Sequence, residues 1–310
     1  MAGVKIVEGT FQVSGANLFT KSWLPEGGPT KAKLVMVHGF SDHVDRYYDF
    51  FPSLARRGVA VYGFDQRGWG RSVRAPSDRG RTGPTAVVLA DIAAFARSRV
   101  LPAEPAAAPV FVLGHSMGGG EVLTLAGTPE YRDLVARVRG WILEAPFLAF
   151  APAVQPHWIT VAGGRLAARV APNFHLVRPV PPEHLTRDPA ARRSIAADAL
   201  LHNTGTLEGL AAMIDRAEAL SAGRVALDPG VVRSVFLAHG TADVVTDIGA
   251  AEAWWRRQKL ADGRFKAYEG FYHQLHADHG KEEFYRDVGD WILERCDDDT
   301  VRGGAPEAKL

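Results

Sequence analysis

The chain has 310 residues, 46% hydrophobic and 23% charged, which is enough for one large α/β domain or two smaller domains with a substantial core. Its formal net charge is +1 and its Lys and Arg residues are scattered, so we expect no nucleic-acid partner. The single cysteine excludes an intramolecular disulfide and fits a reducing compartment, and the amino terminus predicts no secretory signal. These features favour an intracellular globular protein.

Patterns typical of strands and helices alternate through the first half of the chain. Residues 4–13 and 17–24 predict two strands that pair through a short turn. Apolar runs predict four more strands, at 34–37, 59–64, 109–113 and 138–143, with helices at 46–57 and 82–100. Strands that alternate with helices imply an α/β fold with a mostly parallel central sheet flanked by helices.

The alternation stops between residues 146 and 210, a stretch rich in Pro and Ala with short helical pieces such as 190–201. It resumes with strands at 231–237 and 265–268 and helices at 247–259 and 281–295. The sequence therefore predicts a core of residues 1–145 and 211–296, an inserted and mainly helical cap of residues 146–210, and a flexible tail of residues 297–310.

The stretch Gly114-His115-Ser116-Met117-Gly118-Gly119 lies between a predicted strand and a predicted helix. This strand–turn–helix context is what a nucleophile elbow requires, with the serine at the bend. Gly114 and Gly118 keep side chains away from a place where the strand and helix backbones nearly touch. Ser116 is therefore the predicted nucleophile.

A serine hydroxyl needs a base to take its proton, and the base needs an acid to orient it. Side chains just beyond the carboxyl ends of parallel strands converge on one edge of the sheet. Asp243 and His273 occupy such positions, and the chain order Ser, Asp, His is the order expected of α/β-hydrolases. His276 and Asp247 are the alternative base and acid, although Asp247 could instead cap the helix that follows it.

The tetrahedral intermediate of acyl transfer needs N–H donors for its oxyanion. One predicted donor is the backbone N–H of Met117, which follows the nucleophile at a helix N-terminus. The second is the backbone N–H of Phe40, in the loop after the strand 34–37, where Gly39 permits the required turn.

Four stretches of this sequence together resemble the monoacylglycerol lipase family of α/β-hydrolases, from about residue 30 to residue 295. They are His38-Gly39-x-x-x-His43-x-x-Arg46-Tyr47, Gly114-His115-Ser116-Met117-Gly118-Gly119, His239-Gly240-Thr241-Ala242-Asp243 and Tyr268-Glu269-Gly270-x-Tyr272-His273-x-x-His276. The resemblance implies the α/β-hydrolase fold and hydrolysis of monoacylglycerols to a free fatty acid and glycerol through an acyl-enzyme on Ser116. It implies no cofactor and no metal.

Carried over by position, Arg46 and His115 would contact the glycerol end of the substrate. His276 would line the loop that carries His273 and is the third candidate for a substrate contact. The family often has a tyrosine near the alcohol pocket in the cap, and this sequence offers none around Ser194. A broader carboxylesterase or lysophospholipase with the same triad is therefore the alternative function. A non-catalytic binding protein of this fold is the third hypothesis, but such proteins usually lack a triad member.

Residues 145–164 contain no charged side chain, but their three prolines argue against a spanning helix. This segment is expected either to contact lipid or to be buried. The resemblance implies a mobile cap that covers an acyl tunnel and rests on a membrane or lipid-droplet surface. The C-terminal Ala308-Lys309-Leu310 is a conservative variant of a peroxisomal address. The predicted locations are the cytoplasm, such a surface and, in a eukaryote, the peroxisome.

Overall fold

The computed structural model describes residues 3–99 and 108–301. The strands are β1 (Gly3–Val13), β2 (Ala16–Glu26), β3 (Ala32–Val37), β4 (Val59–Phe64), β5 (Val110–His115), β6 (Val138–Glu144), β7 (His175–Val177), β8 (Thr204–Thr206), β9 (Ser234–Gly240) and β10 (Asp262–Tyr268). The helices are α1 (Phe50–Arg56), α2 (Thr85–Arg99), α3 (Met117–Ala126), α4 (Arg132–Val135), α5 (Trp158–Val170), α6 (Pro182–Leu185), α7 (Pro189–Ala197), α8 (Leu207–Ser221), α9 (Ile248–Arg256) and α10 (Lys281–Val301).

Eight strands form the central sheet, in the order β1-β2-β4-β3-β5-β6-β9-β10. The hairpin β1–β2 is antiparallel and joins the sheet by an antiparallel pairing of β2 with β4. All the pairings from β4 across to β10 are parallel, so the carboxyl ends of these strands lie along one edge. The predicted fold class is confirmed, and this edge is where loop side chains from distant parts of the chain can meet.

Helices cover both faces of the sheet because side chains alternate along each strand. On β3, Leu34 and Met36 belong to the core cluster shared with α1 and α10, whereas Val35 and Val37 belong to the cluster shared with α2 and α3. All four side chains are completely buried. Each contributes about 1.5–3 kcal/mol by leaving water, which fixes the register of the strand that ends at the site.

Residues 146–210 depart from the alternation of strands and helices seen in the rest of the chain. They contain the helices α5, α6 and α7 and the small antiparallel sheet of β7 and β8. Helix α8 begins near the end of this segment, where the Thr206 hydroxyl accepts a hydrogen bond from the Gly209 N–H as an N-cap. It continues to Ser221 and packs against both α5 and α3, so it connects the inserted segment to the layer below.

Several predicted element ends are wrong. The helix predicted over 46–57 is interrupted at Tyr48, whose φ of 46° ends a 3₁₀ turn before α1 begins at Phe50. The strand predicted from Val231 begins only at Ser234, because the N–H groups of Val231 and Val232 donate to the Asp228 carbonyl in a turn.

The C-terminal helix was predicted to end at Arg295, but α10 continues to Val301. It therefore enters the first part of the segment 297–310 that was predicted to be a flexible tail. The remainder of that segment, with Ala308-Lys309-Leu310, lies outside the described residues.

The uncharged segment 145–164 divides into two halves. Phe147 and Leu148 are buried, whereas Trp158 and Ile159, at the start of α5, are 72% and 58% exposed. The expected burial is confirmed for the first half, and lipid contact by the exposed second half stays a prediction. Within residues 3–99 and 108–301, no helix combines the length and apolarity that crossing a bilayer requires.

Candidate active site

Ser116 is the single residue between the end of β5 and the start of α3, and its backbone conformation is one that residues with a side chain rarely adopt. Its φ and ψ are 53° and −118°, a strained backbone region that costs on the order of 1–3 kcal/mol. Two backbone hydrogen bonds hold it there: the Ser116 N–H donates to the Glu144 carbonyl at 2.9 Å, and the Phe147 N–H donates to the Ser116 carbonyl at 2.8 Å. The strain raises the hydroxyl above the sheet edge, as a nucleophile elbow requires.

The neighbouring glycines make this turn possible. A Cβ at Gly114 would lie 2.5 Å from the Gly118 carbonyl oxygen, and a Cβ at Gly118 would collide with the Val37 carbonyl. Only glycine therefore allows α3 to start directly against the ends of β3 and β5.

The structure brings the three predicted triad side chains together. The Ser116 hydroxyl donates to Nε2 of His273 across 2.9 Å, and Nδ1 of His273 lies 2.8 Å from Oδ2 of Asp243. All three side chains are buried at the carboxyl edge of the sheet. The arrangement allows the imidazole to accept the serine proton while the carboxylate fixes its orientation.

Asp243 is held as an anion by its own loop. Its Oδ1 accepts the N–H groups of Val245 and Thr246 at 2.7 and 3.0 Å, and its Oδ2 accepts the Thr246 hydroxyl at 2.7 Å. Burial opposes the charged form, but attraction to His273 and these hydrogen bonds hold the pKa of Asp243 below its ordinary value. The carboxylate is therefore ionised at neutral pH and can stabilise an imidazolium.

The alternative base and acid lie elsewhere. The Nδ1 atom of His276 is 2.7 Å from Oε1 of Glu144, and its backbone N–H donates to the same oxygen at 3.0 Å. Asp247 is the N-cap of α9, where its side chain accepts the Gly249 N–H. Neither residue has a hydrogen bond to Ser116 or His273, so the geometry favours His273 and Asp243.

The two predicted oxyanion donors flank the serine. Met117 is the first residue of α3, so its N–H has no partner within the helix. Phe40 follows the end of β3, and its ring packs edge-on against Trp69 with centroids 4.9 Å apart. Phe40 and Met117 line one cavity together with Ser116, which places both residues beside the reacting hydroxyl.

Two cavities of different character meet at Ser116. The larger, of about 560 Å³, is lined mostly by apolar side chains of α5, α8 and the segment between them, Met213, Ile214 and Leu176 among them. The smaller, of about 290 Å³, combines apolar side chains such as Leu185 and Ile195 with polar ones that include Asp42 and Asp198. Ser116 and Phe40 belong to both linings, so an ester at the serine could extend an apolar chain one way and a polar group the other.

Of the three predicted substrate contacts, only His115 lines a cavity, the smaller one. Arg46 is absent from both linings because its guanidinium is turned to other partners, donating to Ser194 Oγ at 2.8 Å and Tyr48 Oη at 2.5 Å. His276 is fully buried behind the wall. In this structure Arg46 and His276 support the cavity wall, and their contact with substrate stays a prediction. The tyrosine near Ser194 is Tyr48, which lies outside the segment 146–210.

Three further residues of the site were missed by sequence reasoning: Glu144, Thr246 and Gln274. Glu144 ends the buried strand β6, and an acidic residue in such an apolar run was the available signal. Its carboxylate and that of Asp42 raise the pKa of His115 although burial opposes this. Thr246 and Gln274 lie close in the sequence to Asp243 and His273, but no sequence pattern shows that their side chains face the site.

One group of side chains could hold a metal ion within the described part of the chain. His115, Glu144 and His276 offer ligand atoms within 4.8 Å of one another, all of them buried. One carboxylate oxygen of Glu144 is already engaged by His276 through two hydrogen bonds. The group is explained as the support that joins β6 to the loop of His273.

Comparisons with known proteins show what the chain is similar to. A family model described as serine aminopeptidase, S33, matches residues 28–280. The putative monoglyceride lipase of Schizosaccharomyces pombe is 33% identical over 282 residues, which cover 90% of this chain and 72% of that protein. The monoacylglycerol lipase of Mycolicibacterium smegmatis is 27% identical over 91% of this chain and 94% of its own length. A crystal structure of a soluble variant of Saccharomyces cerevisiae monoglyceride lipase with a substrate analog has a TM-score of 0.84 at 21% identity, covering 95% of this chain and 96% of that one.

Proposed function

Because the chain belongs to the monoacylglycerol lipase family of α/β-hydrolases, as its sequence predicted, we propose that it is a serine ester hydrolase that cleaves monoacylglycerols. The observation that carries the proposal is the hydrogen-bonded row of Ser116, His273 and Asp243, at the point where an apolar cavity meets a smaller cavity that contains two carboxylates. The products are a free fatty acid and glycerol.

The reaction follows from the positions of these groups. The Ser116 hydroxyl attacks the ester carbonyl while His273 takes its proton, and the N–H groups of Phe40 and Met117 bind the oxyanion. His273 then returns the proton to the departing alcohol oxygen, which leaves through the smaller cavity while the acyl chain remains in the larger one. In the second half of the reaction, His273 takes a proton from a water molecule that attacks the acyl-enzyme. The fatty acid then leaves, and His273 returns the proton to the Ser116 oxygen.

The test is covalent labelling by a fluorophosphonate, combined with turnover of a monoacylglycerol and of a short water-soluble ester. The wild-type protein is expected to be labelled and to prefer the monoacylglycerol, and Ser116→Ala should abolish both labelling and turnover. Labelling that persists in Ser116→Ala would contradict the proposed nucleophile. A preference for the short ester would favour the broader carboxylesterase.

The cap is proposed to meet a membrane or lipid-droplet surface through a cap patch made of Trp158, Ile159, Leu166, Val170, Phe174 and Val177. Among the described residues, nine large apolar side chains are well exposed, and seven of them lie between residues 154 and 177. Such clustering of exposed apolar area marks an interaction surface. Val177 also lines the larger cavity, so the patch adjoins the route by which a lipid would enter.

Location in the peroxisome remains a prediction from Ala308-Lys309-Leu310, which lies outside the described residues. In a eukaryotic host, removal of these three residues from a tagged copy is expected to shift it from peroxisomes to the cytosol. An unchanged distribution would contradict the prediction.

A further inference from the structure

The smaller cavity beside Ser116 is rich in hydrogen-bond acceptors. The carboxylates of Asp42 and Asp198 both belong to its lining, and no Lys or Arg is present among the described residues that line it. Asp198 accepts a hydrogen bond from the His43 ring at 2.9 Å, and Asp42 accepts one from the Tyr47 hydroxyl at 2.9 Å. Ordinary hydroxyl groups, which donate, are suited to such a cavity, whereas an anion is repelled by it.

The guanidinium of Arg46 lies near one of these carboxylates but is not part of the cavity lining. Arg46 donates to Ser194 and Tyr48, and its Nη1 atom lies 3.5 Å from Oδ2 of Asp198. It is therefore engaged behind the wall and does not offer a free cation to the cavity. A phosphate-bearing leaving group would lie beside two carboxylates, of which Asp198 is paired with Arg46, and no Lys or Arg among the described lining residues would pair with the phosphate.

Like His115, Gln274 lines this cavity and has a buried side-chain atom without a hydrogen-bond partner among the described residues. It directly follows His273, lines the cavity and is 6% exposed. Its backbone N–H donates to the Leu185 carbonyl at 2.8 Å, which holds its main chain in place. Its side-chain Oε1 has no hydrogen-bond partner within the described residues. A buried polar atom without a partner is costly, so a hydroxyl that bonds this amide would be bound favourably.

We propose that the Gln274 side-chain amide binds a hydroxyl of the leaving polyol, and that together with Asp42 and Asp198 it selects an uncharged glycerol group over a phosphodiester. This rests on the proposed function and assigns the specificity of the same site. The amide distinguishes a leaving group with hydroxyls from one without, because only the former can complete its hydrogen bonds.

The test compares Gln274→Met with the wild-type protein on three esters of one fatty acid in identical micelles: 1-oleoylglycerol, ethyl oleate and oleoyl lysophosphatidylcholine. Met keeps the length of the side chain and removes its hydrogen bonds. The variant is expected to lose about tenfold in kcat/KM for oleoylglycerol, the equivalent of one hydrogen bond, and to remain within about twofold on ethyl oleate. The wild-type protein is expected to hydrolyse the lysophospholipid much more slowly than oleoylglycerol.

Ile195→Val is the matched control, since Ile195 lines the same cavity without a polar atom. It should affect oleoylglycerol and ethyl oleate equally, which separates shape from hydrogen bonding. An equal loss on both esters in Gln274→Met, or no loss on either, would overturn the proposal, as would wild-type turnover of the lysophospholipid that matches that of oleoylglycerol. Wild-type protein that hydrolyses none of the esters would instead refute the proposed function.

Discussion

At the scale of single residues, each member of the proposed triad is held by a second partner that fixes its orientation. Asp243 is bound by Thr246, His273 by Asp243, and Ser116 by the backbone around the elbow. A catalytic imidazole must stay in one tautomer and one orientation through the reaction. The dense bonding around Asp243 therefore contributes to catalysis, although Thr246 itself touches no reacting atom.

Asp243→Asn and His273→Ala are expected to lower kcat by about three to four orders of magnitude, because the first disturbs the tautomer and the second removes the base. Steady-state kinetics on a monoacylglycerol measures this, and circular dichroism checks that the fold is kept. Asp247→Asn is the matched control, since Asp247 caps α9 and has no hydrogen bond to the triad. Near-normal turnover in His273→Ala would move the base to His276.

At the scale of elements, α5 presents an apolar face that no described part of the protein covers. Trp158, Leu166 and Val170 are 72%, 64% and 84% exposed, and their spacing in multiples of four places them on one side of the helix. Exposed helix faces of this kind bury themselves at the boundary between head groups and acyl chains. Helix α5, which lines the larger cavity, is thus also the element that would contact the lipid surface.

Trp158→Ser is expected to lower the affinity for phosphatidylcholine vesicles at least tenfold, as measured by co-sedimentation. The reason is that a large apolar side chain contributes about 1.5–3 kcal/mol when it leaves water. Activity on a short soluble ester should be unchanged. Val7→Ser serves as the control, since Val7 is 41% exposed on β1, outside the cap patch. Equal vesicle binding by wild type and Trp158→Ser would contradict the proposed surface.

At the scale of the whole molecule, a buried ion pair ties three helices together. Nη2 of Arg216 in α8 lies 3.1 Å from Oε1 of Glu121 in α3, and its Nη1 donates to the Thr85 hydroxyl at the start of α2. Burial raises the pKa of Glu121 to about 7 in spite of the attraction of Arg216. The pair therefore orients α8, and with it the helix α5 that packs against it, at a cost in stability when Glu121 is ionised.

The sign of the resulting pH dependence follows from proton binding. Between the ordinary Glu pKa of 4.5 and the folded value of about 7, the folded protein keeps a proton that the unfolded chain has lost. The free energy of unfolding therefore falls as pH rises through this window, by about 3 kcal/mol for the full shift. Thermal unfolding of Glu121→Gln from pH 4.5 to 8 should lack this loss relative to wild type. Parallel curves for the two proteins would contradict it.

Local patterns in the sequence were sufficient for much of the fold. Apolar runs and glycine breaks predicted the eight strands of the sheet, and the glycines beside Ser116 predicted the elbow, because both depend on residues that are neighbours in the chain. The element ends were less well predicted, since a single turn such as that at Asp228 overrides the apolar pattern of Val231 and Val232.

The sequence by itself determined the family, the strands of the sheet and the loops that carry Ser116, Asp243 and His273. The order of elements along the chain and the residues of each motif depend on positions that are close together in the sequence. Only the tertiary structure decided which side chains line the smaller cavity. Arg46 turns away toward Ser194, 148 positions along the chain, whereas Gln274 comes to line the cavity beside its contact with Leu185. Such placements depend on how the cap packs on the core, and no local pattern encodes a contact between residues so far apart.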